Sequence, residues 1–274
     1  MPTEMVSPTP YPDVNALLKE LLASVRAVLG RHFVGMYLDG SLTSGDFDQD
    51  SDVDFIVVTD EEVSTELFAA LKAMHERLAT LDTPWAIELE GSYIPQHALR
   101  RYDPACAMHP NIERGKGELL KMAHHDEGWV IHRAVLLERG IPLAGPAPQT
   151  LIDPISPNQL RQAMQAMLPA WAPKIVADAA QMAGHRGYQS FVVLSLCRVL
   201  YTLHYGAVVS KHAAARWAEE ALGEQWAPLV ERAWEGRSQG DSEAPPEDVS
   251  GTLSFARFAL ERCRQFELPA DEGV

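Results

Sequence analysis

The chain of 274 residues has few cysteines, an excess of acidic over basic residues and no long apolar run. Its three cysteines, Cys106, Cys197 and Cys263, lie far apart and match no metal-binding spacing, which is typical of a reduced, cytoplasmic protein. No run of about 18 apolar residues occurs, so neither a membrane span nor a membrane partner is expected. Residues 1–12 lack the basic start and apolar core of a secretory signal, and we expect a disordered lead-in there.

Basic residues are scarce relative to acidic ones. The sequence has 23 Lys and Arg against 38 Asp and Glu, which gives a formal net charge of −15. Nucleic-acid binding depends on clustered basic residues, so no nucleic-acid partner is expected. An acidic surface suits a cationic small molecule, although the same charge can serve solubility alone. We expect the protein to be a monomer in the cytoplasm.

The hydrophobic pattern changes near residue 150. The first part predicts helices at 13–30, 61–81 and 127–139, and strands at 32–38, 52–59 and 85–94. The second part predicts five helices, at 157–183, 187–205, 210–221, 224–236 and 246–266. Residues 140–148, rich in Gly and Pro, are the best linker candidate. We therefore predict an α+β protein: a mixed β-sheet flanked by helices over 13–149, followed by an α-helical bundle over 150–274.

The most informative motif joins a Gly-Ser turn to two carboxylates. Gly40 and Ser41 follow the first predicted strand, and Asp52 and Asp54 begin the second. Residues two apart on a strand point to the same face, so the two carboxylates would lie together. Such like charges are tolerated when a cation lies between them, and Mg²⁺ is the usual one. The turn can bring backbone N–H groups and a hydroxyl to a phosphate, with Ser51 as a further donor.

A third carboxylate is expected on a neighbouring strand, facing the first two. Glu88 and Glu90 lie on the polar face of the strand predicted at 85–94. We favour Glu88 because its apolar neighbours place it at the centre of that strand, and Glu90 is the alternative. This Glu would act as general base on a substrate hydroxyl and share the metal with Asp52 and Asp54. Carboxylates that hold Mg²⁺ beside a phosphate cradle indicate nucleotidyl transfer.

The stretch from Gly40 to Asp54 resembles the signature of the polymerase-β-like nucleotidyltransferase superfamily. Residues 86–89, Ala-Ile-Glu-Leu, are similar to the strand that carries the catalytic Glu in the streptomycin/spectinomycin adenylyltransferases. Later segments resemble that family's domain connection and two helices of its C-terminal domain: 143–147 with 153–154, 192–201 and 210–218. The similarity to these aminoglycoside adenylyltransferases covers about residues 20–265.

The resemblance implies a two-domain enzyme that moves AMP from ATP to an antibiotic hydroxyl, with both substrates held between the domains. It also implies that Arg198 and Lys211, in the helical domain, contact the ATP phosphates. An acidic chain needs such local cations beside a triphosphate. Each has an ordinary alternative: Lys211 as a solvated residue at a helix start, and Arg198 as a member of a buried ion pair.

The acceptor-binding positions depart from those of the streptomycin-modifying members. Those members have a Trp after the third strand and an Asp shortly before the helix that resembles 192–201. Neither residue is present here, and Tyr188 lies near the Asp position. We therefore expect spectinomycin rather than streptomycin as acceptor. Three alternatives stay open: a non-antibiotic metabolite, a protein as acceptor, and a protein that binds a nucleotide or ligand without turnover.

Overall fold

The computed structural model describes residues 7–240 and 242–270 and divides into two compact units after Pro154. The first unit is built on a six-stranded mixed sheet with helices, and the second is helical. This arrangement confirms the predicted fold class. The predicted domain boundary, after residue 149, lies a few residues before the division. Within the described part of the chain, no helix has both the length and the apolar character needed to cross a membrane.

Helices and strands alternate along the first unit. The helices are α1 (Pro12–Leu29), α2 (Gly40–Ser44), α3 (Thr65–Leu78), α4 (Gln96–Arg100), α5 (Val130–Arg139) and α6 (Pro148–Leu151). The strands are β1 (Phe33–Leu38), β2 (Val53–Thr59), β3 (Leu89–Pro95), β4 (Met108–Ile112), β5 (Lys121–His124) and β6 (Ile141–Ala144). Their order across the sheet is β5-β4-β3-β2-β1-β6. Strands β2 and β3 are parallel, and all other neighbours are antiparallel.

One face of the sheet forms the hydrophobic core of the first unit. Helix α1 presents an apolar stripe that includes Leu17 and Leu21, and this stripe packs with the apolar side of β2, including Val53 and Phe55. Side chains alternate along a strand, so burial of Val53 and Phe55 directs Asp54 to the other face. A slip of one residue would carry the aspartate into the core, and the core therefore fixes the register that the site needs.

One buried histidine in this core is expected to make the protein sensitive to acid. His75 of α3 is buried, and its Nε2 lies within hydrogen-bond distance, 2.7 Å, of the Tyr93 hydroxyl oxygen. Burial lowers the pKa of His75 to about 4, whereas an unfolded chain keeps a histidine pKa of about 6.5. The unfolded state therefore binds the additional proton between these two pH values. Native stability is fully present above the unfolded pKa and falls as the pH drops through this window.

We predict that the His75→Gln variant loses this part of the pH dependence. Each additional proton bound by the unfolded state changes the free energy of unfolding by about 1.4 kcal/mol per pH unit. Urea unfolding between pH 7.5 and 4.5 should show the wild-type stability falling more steeply than that of His75→Gln, by up to this amount. The exposed His124→Gln variant is the control and should keep the wild-type slope. Equal slopes for wild type and His75→Gln would contradict the prediction.

The second unit is a bundle centred on one helix. Its helices are α7 (Pro157–Ala177), α8 (Ala179–Gly184), α9 (Arg186–Tyr205), α10 (Lys211–Ala221), α11 (Ala227–Gly236) and α12 (Pro246–Gln265). Helix α9 packs against each of the others. Most of its residues from Val192 to Leu203 are buried, which explains why this stretch is apolar on nearly every side. The single helix predicted at 157–183 is divided at Asp178, where the backbone leaves the helical conformation.

Three predicted segments of the first unit differ from the structure. The strand predicted at 85–94 begins only at Leu89, because Pro84–Ile87 form a short 3-10 turn with the proline at its start. The segment 140–148, predicted as a linker, contains β6, which pairs with β1. Residues 96–126 gave no clear period, yet they contain the short strands β4 and β5.

The predicted lead-in at 1–12 lies partly outside the described residues, which begin at Ser7. Thr9 is buried, and both its backbone N–H and its hydroxyl donate to the Asn15 side chain, at 3.1 and 2.8 Å. The Tyr11 hydroxyl donates to the Phe47 carbonyl at 2.9 Å. These contacts tie residues 7–11 to the first unit, in contrast to the predicted disorder.

Candidate active site

Three carboxylates meet where β2 and β3 begin. Asp52 directly precedes β2, Asp54 is its second residue, and the parallel register places Asp54 opposite Glu90 of β3. One carboxylate oxygen from each of Asp52, Asp54 and Glu90 lies within 4.8 Å of the others, and all three side chains are half-buried. Three negative charges at this separation repel one another unless a cation lies among them. A donor set made only of carboxylate oxygens suits a hard divalent cation such as Mg²⁺.

Glu88 lies outside this cluster, and the strand position predicted for it is wrong. It ends the 3-10 turn before β3 with φ −100° and ψ 9°, so the alternation of a strand does not extend back to it. Its Oε2 lies 2.7 Å from Nη2 of Arg114. Glu90, the alternative kept open in the sequence analysis, takes the position facing the two aspartates.

Arg114 is a site residue that the sequence analysis missed. Its Nη1 donates to the Asp50 carbonyl at 3.0 Å and lies 3.9 Å from Oδ2 of Asp52, while its Nη2 contacts Glu88. The guanidinium thus links the loop before β2 to the turn before β3. Arg114 follows β4 in a stretch whose hydrophobicity has no helix or strand period. Nothing in the neighbouring sequence therefore identified it as a site residue.

The Gly-Ser turn lies directly against the carboxylates. Gly40 begins α2 with φ +62°, and a Cβ at this position would overlap the carboxylate of Asp54. Only glycine allows this approach without displacement. The Ser41 hydroxyl is buried and has no hydrogen-bond partner among the described residues. An unpaired buried hydroxyl beside a candidate metal site fits a phosphate oxygen as its missing partner.

Ser51, predicted as a further phosphate donor, is engaged within its own loop. Its hydroxyl donates to Oδ1 of Asp48 and accepts the Asp48 backbone N–H, both at 3.0 Å. These bonds close the turn that leads into Asp52. The structure therefore gives Ser51 a positioning contact, and a direct phosphate contact stays a prediction.

Asp39 is a second residue that the sequence analysis missed. It lies between β1 and Gly40, and its backbone N–H donates to the Asp54 carbonyl at 3.2 Å. Its carboxylate is buried, with Oδ2 lying 2.8 Å from Nδ1 of His132. A single Asp at a strand end gives no sequence signal, because the partner His132 is far away in the chain.

Arg198 and Lys211 both belong to the second unit. Lys211 is the first residue of α10, and its Nζ lies 5.4 Å from the centre of the Phe191 ring. Phe191 and Arg198 are seven residues, about two turns, apart on α9 and therefore share a face of that helix. The two cations thus lie on one side of the second unit, and their contact with a nucleotide stays a prediction.

The second unit also presents a carboxylate near Tyr188. The Tyr188 hydroxyl donates to Oδ2 of Asp178 at 2.8 Å, and burial together with this hydrogen bond raises the pKa of Tyr188 to about 12. Asp178 lies ten residues before Tyr188, at the break between α7 and α8. The sequence analysis missed it because the break could not be located from the helical pattern.

We predict that Gly40→Ala disables the site. The added methyl group would overlap Asp54, and an L-residue at φ +62° is strained, so we expect a loss of roughly 2–4 kcal/mol of stability. Gly45→Ala is the matched control: its φ is +80°, but nothing lies within 4 Å of the added Cβ. It should lose about 1 kcal/mol by backbone strain alone and keep its activity. Urea unfolding and Mg²⁺ titration of both variants test this, and full activity in Gly40→Ala would contradict it.

Comparison with known families agrees with this division of the chain. Residues 18–95 match the family described as nucleotidyltransferase domain. Residues 150–262 match the family described as aminoglycoside adenylyltransferase, C-terminal domain. The first match contains the Gly-Ser turn and the three carboxylates, and the second contains Arg198 and Lys211.

The chain is also similar in sequence to named proteins, and the similarity covers most of the length of each. A spectinomycin 9-adenylyltransferase of Campylobacter jejuni is 26% identical over 261 residues, which cover 91% of this chain and 96% of the relative. An aminoglycoside (3'')(9) adenylyltransferase of Shigella flexneri is 25% identical, covering 80% and 83%. A solved structure of spectinomycin adenyltransferase from Enterococcus faecialis with ATP and spectinomycin shares the fold with a TM-score of 0.69, 14% identity and coverage of 91% and 99%. The chain is a nucleotidyltransferase that joins a nucleotidyltransferase domain to an aminoglycoside adenylyltransferase C-terminal domain, and it is similar over most of its length to named aminoglycoside adenylyltransferases.

Proposed function

We propose that the protein transfers AMP from ATP to a hydroxyl of a small cationic acceptor, in a reaction that depends on Mg²⁺. The observation that carries this proposal is the meeting of three carboxylate oxygens within 4.8 Å, beside the Gly40-Ser41 turn. The solved relative was determined with ATP and spectinomycin, which supports both substrate classes. The names of the curated relatives support the adenylyl group as the one transferred.

Asp52, Asp54 and Glu90 would hold the magnesium ion. Their oxygen-only donor set and their mutual repulsion fit a hard divalent cation. When bound, Mg²⁺ would neutralise charge on the nucleotide phosphates. The fold supports the donor set because β2 and β3 are parallel, which brings the beginnings of both strands to one edge of the sheet.

The other site residues would position the nucleotide and the acceptor. The unpaired Ser41 hydroxyl is placed to donate to a phosphate oxygen, and Gly40 allows the turn to lie against Asp54. Glu90 is the proposed general base, which accepts the proton of the acceptor hydroxyl as the oxygen attacks. Glu88 forms an ion pair with Arg114. We propose that Glu88 orients this guanidinium and does not act as the general base. We retain Arg198 and Lys211 as proposed contacts to the triphosphate.

A cationic acceptor fits the charge of the protein and the relatives that it matches. The chain carries a formal net charge of −15, which attracts cations to its surface. Asp178, held by the Tyr188 hydroxyl, is a half-buried carboxylate suited to an ammonium group. Since the Trp and Asp of the streptomycin-modifying members are absent, we propose spectinomycin as a better acceptor than streptomycin.

The direct test uses purified protein, ATP and Mg²⁺ with a panel of spectinomycin, streptomycin, other aminocyclitols and sugars. We expect pyrophosphate release with spectinomycin, an AMP adduct of that acceptor in the mass spectrum, and loss of both with EDTA. Absence of pyrophosphate release across the panel would count against an aminocyclitol acceptor. AMP found on protein instead would support the protein-acceptor alternative, and ATP binding without any turnover would support a binding protein.

A further inference from the structure

A pocket with unusual polar lining lies in the first unit, separate from the three carboxylates. It is lined by the β3 residue Ile94, by His109 and His125, and by Trp129 and Arg133 beside or on α5. Its enclosed volume is about 10 Å³, roughly the room of one water, and it opens to solvent at its mouth. Ile94 lies four residues after Glu90 on β3, so the pocket is on the same face of the sheet as the carboxylates. The pocket therefore lies on the same face of the sheet as the candidate active site and does not share its carboxylates.

Arg133 is a buried cation that has no ion pair with an acidic residue in the part of the chain that the structure describes. Its side chain is only 4% exposed, and its Nε is buried without a hydrogen-bond partner in the described part of the chain. Its guanidinium lies 5.9 Å from the centre of the Tyr102 ring, which is a weak partner. A buried charge is strongly unfavourable unless it is paired. The absent partner of Arg133 should therefore be an anion.

His125 adds a buried polar nitrogen to the same pocket. Asn111 donates to the Ser92 hydroxyl oxygen at 2.9 Å, and this oxygen lies 3.2 Å from Nε2 of His125. The tautomer of the ring decides which of Nε2 and Ser92 donates in this contact. Nδ1 of His125 is buried and has no partner among the described residues, and in the tautomer whose Nε2 accepts from Ser92 it carries the proton.

His109 lies against His125, and both rings are neutral at physiological pH. Their ring centres are 4.9 Å apart, and Nδ1 of His109 is also buried without a partner within the described residues. Burial lowers the pKa of His109 to about 4 and that of His125 to about 3, and the Arg133 charge acts in the same direction. The charge of the pocket is therefore that of Arg133.

Asp103, Asp126 and Glu127 all act electrostatically on Tyr102, but within the described residues no ion pair joins Arg133 to any of them. Asp103 lines the pocket, but it is exposed and its Oδ1 accepts the Ala105 backbone N–H at 2.9 Å. Tyr102 and Cys106 also line it. The Tyr102 pKa is raised by burial and by nearby acidic charges, so its hydroxyl stays neutral.

We propose that this pocket binds one small oxyanion group, a carboxylate or a phosphate, at its open mouth. The Arg133 guanidinium and Nδ1–H of His125 would donate to it, with the ring in the tautomer whose Nε2 accepts from Ser92. A planar guanidinium matches the two oxygens of either group, and a neighbouring N–H donor adds a third bond. The proposed anion site takes no part in nucleotidyl transfer, and the proposal does not depend on which acceptor the enzyme uses. Its ligand is an anion, whereas the proposed acceptor is a cation.

The test observes the histidine rings directly in the intact protein. Nitrogen-15-labelled protein is titrated at pH 7.5 with sodium phosphate or, separately, sodium acetate, at constant ionic strength, and the ring signals of His109 and His125 are followed. We expect the ring signals of both histidines to shift and to reach saturation as anion is added. The anion that binds more tightly shows whether the site prefers a phosphate or a carboxylate. Arg133→Met should weaken binding by roughly tenfold or more. The exposed Arg31→Met variant is the matched control and should bind as wild type.

A second variant protects the test against misfolding of Arg133→Met. Arg133→Lys keeps the charge but loses the planar pair of donors, so we expect weaker but measurable binding. Thermal unfolding supplies an independent readout: each anion should raise the melting temperature of wild type more than that of Arg133→Lys. The proposal is overturned if neither anion shifts the histidine signals at tens of millimolar, or if both Arg133 variants bind as tightly as wild type.

Discussion

Replacing Asp54 with asparagine is expected to abolish most nucleotidyl transfer while leaving the fold intact. Asn has the same shape as Asp, so it fits against Gly40, but it lacks the charge that a bound cation requires. Loss of several kcal/mol of charge stabilisation in the transition state corresponds to a rate lower by roughly a thousandfold. Magnesium-dependent ATP binding should weaken in the same variant, because Asp54 contributes one of the three clustered oxygens.

Pyrophosphate release and calorimetric ATP titration with and without Mg²⁺ measure both effects. The control is Asp60→Asn, just beyond the end of β2, where the carboxylate is 43% exposed and pairs with His32 at 2.9 Å. This variant removes the same charge from the same strand region, and its activity should stay within about twofold of wild type, since exposed pairs contribute little. Retention of ATP binding with unchanged metal dependence in Asp54→Asn would indicate that the carboxylates do not hold the cation.

The second prediction separates Glu90 from Glu88. Glu90→Gln should lower the rate by about 10²–10⁴-fold, because it removes both a proposed general base and one oxygen of the cluster. Glu88→Gln should keep activity within about tenfold, because it weakens only an ion pair with the 41% exposed Arg114. The two variants form a matched pair: both replace Glu by Gln, two residues apart.

Rates for both variants at saturating ATP, together with their pH profiles, decide between the two residues. If Glu90 is the base, the acidic limb of the wild-type pH profile should be lost in Glu90→Gln and kept in Glu88→Gln. The opposite result, with Glu88→Gln inactive and Glu90→Gln active, would restore the assignment favoured from sequence and would require Glu88 to move away from Arg114.

The comparison of Glu88 with Glu90 shows where sequence reasoning stopped. Alternation alone gives both residues the same face, and the apolar flanks favoured Glu88. The choice depends on where β3 begins and on its register with β2, and both are set by contacts with another strand. The 3-10 turn that begins at Pro84 removes Glu88 from the strand, and the pairing of Asp54 with Glu90 completes the cluster.

Other site residues were missed for the same reason. Arg114, Asp39 and Arg133 contact partners that are distant in the chain, so the residues next to each of them in sequence do not identify it. The short strands β4 and β5 carry too few residues for a period, and β6 lies within a stretch whose Gly and Pro content is typical of a linker.

The sequence by itself determined the local features of this protein. The period of two in β2 placed Asp52 and Asp54 together, the Gly-Ser turn marked a phosphate cradle, and the period of 3.6 located most helices of the second unit. These features depend on neighbours within a few residues, which sequence records directly. Only the tertiary structure decided which Glu joins the two aspartates and which arginine is buried with no counter-charge among the described residues. Both depend on pairing between segments far apart in the chain, and burial against those segments sets the register and the charge environment.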